Sequence, residues 1–507
     1  MITKARSHLV IFLLSSFILA NTAKTYAHND QHAEVIAPSS LAEIKKLYDT
    51  SLASKDFTQL NLQVAHVDFL FVVPVNELRK DVGLAPGFGE EYISYIPLDG
   101  RQALNADEQM SFDLSNQGLA MFHNFHYIDA VRSFEQALRI NPNLPETKAF
   151  LALAYLSFSG DISGYLYAVQ QLAELKQMSL NAKQSAWLNF TEAYVFSGPG
   201  TFPLQGAFTS LLRITQNDIE AITLGGWLSQ YGSIDSYKKA LVLDPNHVGA
   251  SHYLTHLYES RNDFKTALSY GEMHAKLAPQ GGHAQHMFGH ILPMIGDLDL
   301  ALVQFLKADK IHKDWAAKYN YDIHYDWHTS HNFHLLGVTY LAKKQYNEAA
   351  DTLKEGCVAD FRACEALAKV AVMQLDSLLL DETITLALGL FSPSESAGVR
   401  DYFKRFQLEI DYVSGKITNT TALASAATAY RDSVGQAIAR LASVTPGSSA
   451  YKQMTTLVDS LFLGGGFDSW ANGYPNAMRL RNAATELKLN DLVNYIDQKV
   501  NSIIGTP

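Results

Sequence analysis

Apolar residues recur three or four positions apart from about residue 40 to residue 500, while the alternation that marks a strand is scarce. The pattern predicts an all-α chain. It also repeats. The segments AVRSFEQALRINPN (130–143) and DSYKKALVLDPN (235–246) end alike, at Pro142 and Pro245, and Pro279 follows Pro245 by 34 residues. Pro142 and Pro245 stand 103 residues apart, three such periods plus one residue. Small and aromatic residues return at matching offsets: Gly118, Ala130, Phe134 and Ala137 in one stretch, Gly289, Ala301, Phe305 and Ala308 in another. Gly337, Tyr340 and Ala349 mark a third. Small residues at fixed offsets imply paired helices in close approach, and a proline stops the second helix of a pair.

A helical hairpin of 34 residues is the period of the tetratricopeptide repeat, whose units bury their apolar faces only against neighbours. The expected fold is therefore a tetratricopeptide-repeat α-solenoid of stacked helix–turn–helix hairpins over residues 110–360. A segment with helical and irregular parts (28–109) precedes it, and degenerate C-terminal helices (361–507) follow and cap it. Residues 83–96 read as irregular, 198–203 as a loop with two glycines and two prolines, and 464–466, three glycines, as a late loop before closing helices at 475–503.

Residues 1–27 have the layout of a secretory signal: Lys4 and Arg6, an apolar core over 9–20, then Thr25, Tyr26 and Ala27 at the cleavage position. That core is shorter than the ~20 residues of a spanning helix. No later apolar run is long enough either. The expected mature chain is exported, periplasmic or secreted, without stable membrane insertion. Removing the segment leaves 37 basic against 51 acidic side chains, a balance that argues against nucleic acid as a partner. Cys357 and Cys364, seven apart, form either one disulfide or two buried thiols in such a compartment.

Of 18 histidines, 12 lie between His247 and His334, and their register is more informative than their number. His252 and His256 are one helical turn apart and share a face. His286 and His290 repeat that pair 34 residues later, and His283 with His286 recurs as His331 with His334 after an insertion at roughly 313–326. In tetratricopeptide repeats these positions on the first helix line the concave groove. Imidazoles one turn apart sit ~6 Å apart and neighbouring helices ~8–10 Å apart, so rings from successive repeats can meet. Neutral imidazole suits Zn, Cu, Ni or Fe. The candidate metal ligands are His252, His256, His286 and His290, with His283, His331 and His334 beside them and Glu259, Asp322 or Asp326 as partners. In HYDWHTSHNFH (324–334), His324, His328 and His331 share a helical face, and Tyr325, Trp327 and Phe333 either shield a site or pack between helices. No HExxH, GxSxG, phosphate-loop or zinc-finger pattern narrows the chemistry, so catalysis stays open.

Three blocks carry a family likeness: PNHVGASHYLTHLYE (245–259), HAQHMFGHILPMIG (283–296) and HNFH (331–334). With GLAMFHNFHYIDAVRSFEQAL (118–138), they make the chain resemble a group of bacterial exported tetratricopeptide-repeat proteins with histidine-rich repeats. The likeness covers roughly residues 110–360. Two features depart from it: Phe125-His126-Tyr127 stands where relatives read phenylalanine, asparagine, histidine, and no cysteine follows between Pro142 and Ala154. The resemblance implies an α-solenoid and no settled activity. The functional expectation is an exported repeat protein whose histidine-lined groove binds a transition-metal ion (Zn, Cu or Fe). The alternatives are a metal-free scaffold holding a protein or peptide in the same groove, and a structural role in which the histidines bond one another and backbone carbonyls.

Overall fold

A computed structural model describes residues 40–67, 82, 84–85, 87–88, 105–158, 162–319, 321–325, 327–391, 393–463 and 466–504. The predicted signal segment, most of 83–96, Asp326 and the glycines at 464 and 465 lie outside the described residues. Among the described residues all regular structure is helical, in 24 α-helices joined by short turns. No described helix is long and apolar enough to cross a membrane. The chain divides into two compact units, one ending at Leu254 and including Lys276–Gly281, the other made of Thr255–Ala275 and Gly282–Pro507.

In the N-terminal unit, α1 (Leu41–Ser54) and α2 (Thr58–Val67) pack on α6 (Ile162–Leu175). Consecutive helices pair: α3 (Ala106–His123) with α4 (Tyr127–Ile140), α5 (Pro145–Phe158) with α6, and α7 (Ala182–Ser197) with α8 (Phe202–Thr215). Polar residues set the starts. Asn105 accepts from the Glu108 N–H while the Glu108 carboxylate accepts from that of Asn105, and Asn181 and Gln184 repeat the arrangement. Of the predicted loop at 198–203, residues 198–201 join α7 to α8, where Gly198 caps α7 with a left-handed φ of 76°, while Phe202 and Pro203 instead open α8. A π-helical turn (Ala221–Gly225) then runs into α9 (Gly226–Ser229), followed by α10 (Ile234–Leu243). Helices α11 (Val248–Glu259) and α12 (Phe264–Leu277) each contribute residues to both units.

The C-terminal unit continues the pairing: α13 (Gly282–Ile291) with α14 (Leu298–Tyr319), α15 (Trp327–Ala342) with α16 (Tyr346–Cys357), and α17 (Phe361–Gln374) with α18 (Ser377–Leu388). The stretch expected as an insertion is partly a longer α14, which runs to Tyr319 before a 3₁₀ turn at Ile323–Tyr325. After α19 (Ser396–Val413), α20 (Thr421–Ala429), α21 (Ser433–Ile438) and α22 (Ser449–Ser460) come α23 (Gly466–Glu486) and α24 (Asn490–Ile504). Helix α23 starts at Gly466, earlier than the expected 475, and carries Pro475 within it. It packs against α13, α15, α17 and α21. Buried Arg479 fastens it there: its guanidinium donates to Glu409 of α19 (3.1 Å) and to Asp432 (2.9 Å), which also caps α21. A buried charge is tolerable only when paired in this way.

The recurring offsets have one physical meaning. A Cβ on Gly118 would lie 2.5 Å from the Phe134 ring, on Gly289 2.8 Å from the Phe305 ring, and on Gly337 2.5 Å from Leu353. In each hairpin the glycine of the first helix receives the large side chain sixteen residues later on the second. Cys357 and Cys364 form a disulfide across the turn between α16 and α17, which resolves the open cysteine reading.

Candidate metal centre

Helix α13 places His286 and His290 one turn apart, and α15 brings His331 to them. The three are 1%, 3% and 4% exposed, and each offers a nitrogen within 4.8 Å of the others'. The ring centres are 4.6 Å apart for His286–His290, 5.0 Å for His286–His331 and 5.8 Å for His290–His331. Aromatic rings close the space around them. Phe305, admitted by Gly289, lies 5.4 Å from His286, and Phe467 of α23 lies 5.7 Å from His290 and 5.7 Å from Phe305. These three positions, expected to line an open groove, are thus enclosed, because the chain's own α23 packs on α13 and α15.

Hydrogen bonds fix which ring nitrogens carry protons. His290 Nδ1 faces Glu259 Oε1 at 3.2 Å, and a carboxylate only accepts, so Nδ1 is the donor. Asn332 donates its amide to the Phe305 carbonyl (3.1 Å), which turns Oδ1 toward His286 Nδ1 at 2.9 Å. That nitrogen is a donor too. Glu259 is itself held by the Phe467 N–H at 3.1 Å. The two Nε2 atoms face each other at 3.0 Å. With both Nδ1 positions protonated, the two Nε2 atoms meet at one point, where two bare lone pairs would repel, so either a cation or one added proton, on His290 beside the Glu259 carboxylate, stands between them.

Two nitrogens bound to one tetrahedral ion at ~2.0–2.1 Å lie ~3.3 Å apart, so the 3.0 Å contact opens only slightly to admit one. Burial pushes the His286 and His331 imidazoles well below the ordinary histidine value, with His290 adding for the first and Arg362 for the second. Both are therefore neutral, as a ligand must be. Burial alone would raise the Glu259 carboxyl, but His290 beside it holds it below the usual range. A histidine whose far nitrogen donates to a carboxylate is the common second layer of a metal site.

The other expected residues divide. His256 and His283, in the same unit, have ring centres 6.1 Å apart, and His283 lies 5.6 Å from His286 and 4.8 Å from His328. His334 is also buried, outside the group of three but close enough to lower His331, and its own imidazole is pushed down to about 4 by burial and Arg362. His252 belongs to the N-terminal unit, where its Nδ1 lies 2.6 Å from the His123 carbonyl. Of the expected acidic partners, Glu259 is in place. Asp322 instead pairs with His324 (2.7 Å) in the 3₁₀ turn, so His324 does not share the helical face of His328 and His331. The Tyr325 and Trp327 side chains lie outside the described residues. Phe305 and Phe467 form the enclosure.

A second cluster, in the N-terminal unit, escaped sequence reasoning. His123, Glu220 and His247 also bring ligand atoms within 4.8 Å of one another. Glu220 opens the π-helical turn and accepts from His123 Nε2 at 2.8 Å, with His247 Nε2 at 3.4 Å from its other oxygen. His247 Nδ1 accepts from the Ala250 N–H (3.1 Å), and His123 Nδ1 meets the Tyr253 hydroxyl at 2.9 Å. Gly249 makes room, since a Cβ there would sit 2.2 Å from His123 Nδ1. Burial alone would raise the Glu220 carboxyl, but His123 and His247 hold it far below the usual carboxylate range. The only local signal was His247 within the PNH block; nothing in the sequence ties Glu220 to His123, 97 residues before it.

No family model and no curated protein sequence matches the chain.

Proposed function

We propose that this helical protein holds a transition-metal ion between His286, His290 and His331, with Glu259 and Asn332 fixing the first two rings. The observation that carries the reading is the pair of Nε2 atoms 3.0 Å apart, each with its other nitrogen committed as a donor. Three imidazole nitrogens favour Zn, Cu or Fe over Mg or Ca, which prefer oxygen. Because the ligands are enclosed, the site suits an ion that is retained rather than one that faces a large substrate. The filling of this region by α23 counts against a bound peptide at the same histidines. The helical hairpins with their repeated glycine contacts support the tetratricopeptide-repeat reading. The Cys357–Cys364 disulfide, with the signal-like opening, supports work in an oxidising exported compartment.

The test is elemental analysis of the full chain after separate exposure to Zn, Cu(II), Fe(II) and Ni salts and exhaustive buffer exchange. One ion per chain is expected, lost in His286→Gln with His290→Gln while circular dichroism keeps its helical amplitude. His331→Gln alone should weaken retention. If wild type retains no ion, or the folded double variant retains as much, an added proton fills the His286–His290 contact and the reading fails.

A further inference from the structure

The triad is nearly sealed, so an ion has to reach it past other side chains. Within the same unit a line of imidazoles leads inward. His256 on α11 is only half-buried. Its ring centre is 6.1 Å from that of His283, and their ligand nitrogens lie within 4.8 Å. His283 is 3% exposed and lies 5.6 Å from His286, with His328 4.8 Å to its side. Two imidazoles bound to one ion at ~2.0–2.1 Å put their ring centres ~5 Å apart at a tetrahedral angle. Each consecutive pair along this line is therefore close to the separation at which both rings grip the same ion.

We propose that His256, His283 and His328 form a loading path that hands a transition-metal ion to His286, His290 and His331. The inference rests on the metal-holding reading of the triad. Each transfer is a ligand exchange: a new nitrogen–metal bond forms at the inner ring before the outer one breaks, with no change in oxidation state. His283 is the pivot, because it neighbours the partly exposed His256 ring, the side ring and the first ring of the triad. The observation that separates a path from a set of resident ligands is the position of His256: it alone of the six rings is not fully buried and stands at the outer end of the line, while His283 and His328, at 3% and 2%, are as enclosed as His286, His290 and His331 at 1%, 3% and 4%.

Rapid mixing of the metal-free full chain with Co(II), followed by visible absorption, measures loading, and excess chelator measures release. His256→Gln and His328→Gln are each expected to slow loading and release by about the same factor, on the order of ten-fold. The final stoichiometry and equilibrium affinity should be unchanged, because a path alters a barrier and not its ends. Unchanged rates with full stoichiometry overturn the path and leave the triad standing. Unchanged loading with faster release identifies these histidines as resident ligands and also overturns it. Absence of Co(II) uptake in wild type removes the triad reading first and the path with it.

Discussion

His286 and His290 in one unit, and His123 and His247 around Glu220 in the other, are buried groups within reach of a single ion. Distance alone does not tell them apart; proton positions do. In the C-terminal pair the donors point outward to Glu259 and Asn332, and the two Nε2 atoms meet in the middle, where one cation or one added proton fits between them. Around Glu220 the order is reversed. The Ala250 N–H occupies His247 Nδ1, so its proton sits on Nε2 and faces the carboxylate, and the Tyr253 hydroxyl allows His123 the same arrangement. There, the His123 N–H bonds the anion at 2.8 Å and the His247 N–H faces it at 3.4 Å. Seating a metal on His247 Nε2 would move its proton to Nδ1, against a backbone N–H. A buried cluster of ligand-type side chains is thus a metal site or a closed hydrogen-bond network according to which nitrogens are already donors.

The largest expected effect breaks this comparison directly. Glu259→Ala, which frees the His290 ring without touching a ligand, should lower metal affinity about 10–100-fold. His123→Gln with His247→Gln should leave metal retention at the wild-type value. Competition with a chelator of known affinity reads both. Equal losses from the two changes would mean that proton positions do not distinguish the clusters.

Stability should show the opposite asymmetry. Glu220→Ala removes the acceptor of the buried His123 Nε2 N–H and the carboxylate facing His247 Nε2, and is expected to cost about 2 kcal/mol in urea unfolding, with metal retention intact. The groups facing that carboxylate are His123 and His247, with Tyr253 behind the first, and they hold its folded pKa far below the unfolded value of 4.5. Between those values the unfolded chain binds the proton and the folded one does not. The contribution of Glu220 is therefore complete above about pH 4.5 and lost as pH falls below it. The difference in urea midpoint between wild type and Glu220→Gln should shrink from pH 6 toward acid. A constant difference would mean that the carboxylate is not stabilised by its two histidines.

The sequence shows the parts of this contrast that are local. The 34-residue spacing and the recurring offsets of Gly289, Ala301, Phe305 and Ala308 mark where two helices of one hairpin approach closely, and the contact of Gly289 with Phe305 is what that recurrence expresses. His286 and His290 could likewise be placed on one face, because the helix sets i and i+4 side by side. What decides their chemistry is not local. Phe467 lies 208 residues from the Glu259 it bonds, and α23, which encloses the triad, carries no repeat signal. The extension of α14 to Tyr319 and the 3₁₀ turn after it took His324 off the face that a continuous helix would have given it. Register along one helix is legible; enclosure by a distant one is a product of packing.

The smallest expected effect compares two instances of the same contact. Gly118→Ala and Gly289→Ala each drive a methyl group toward a fully buried phenylalanine ring, from 2.5 Å and 2.8 Å respectively. Overpacking of this kind costs about 1–3 kcal/mol, and replacing a mid-helix glycine by alanine returns about 1 kcal/mol. The net loss should be about 1 kcal/mol at each site, larger at Gly118 where the approach is closer. Their effects on metal should differ. Phe134 has no part in the triad, whereas Phe305 lies against His286 and its carbonyl holds Asn332. Displacing Phe305 disturbs both the ring and the amide that orients it. Gly289→Ala should therefore release the ion faster at equal stability loss, while Gly118→Ala should not. If the two variants lose stability alike and retain metal alike, Phe305 is packing alone, and the orientation of His286 depends on Asn332 without help from the hairpin contact.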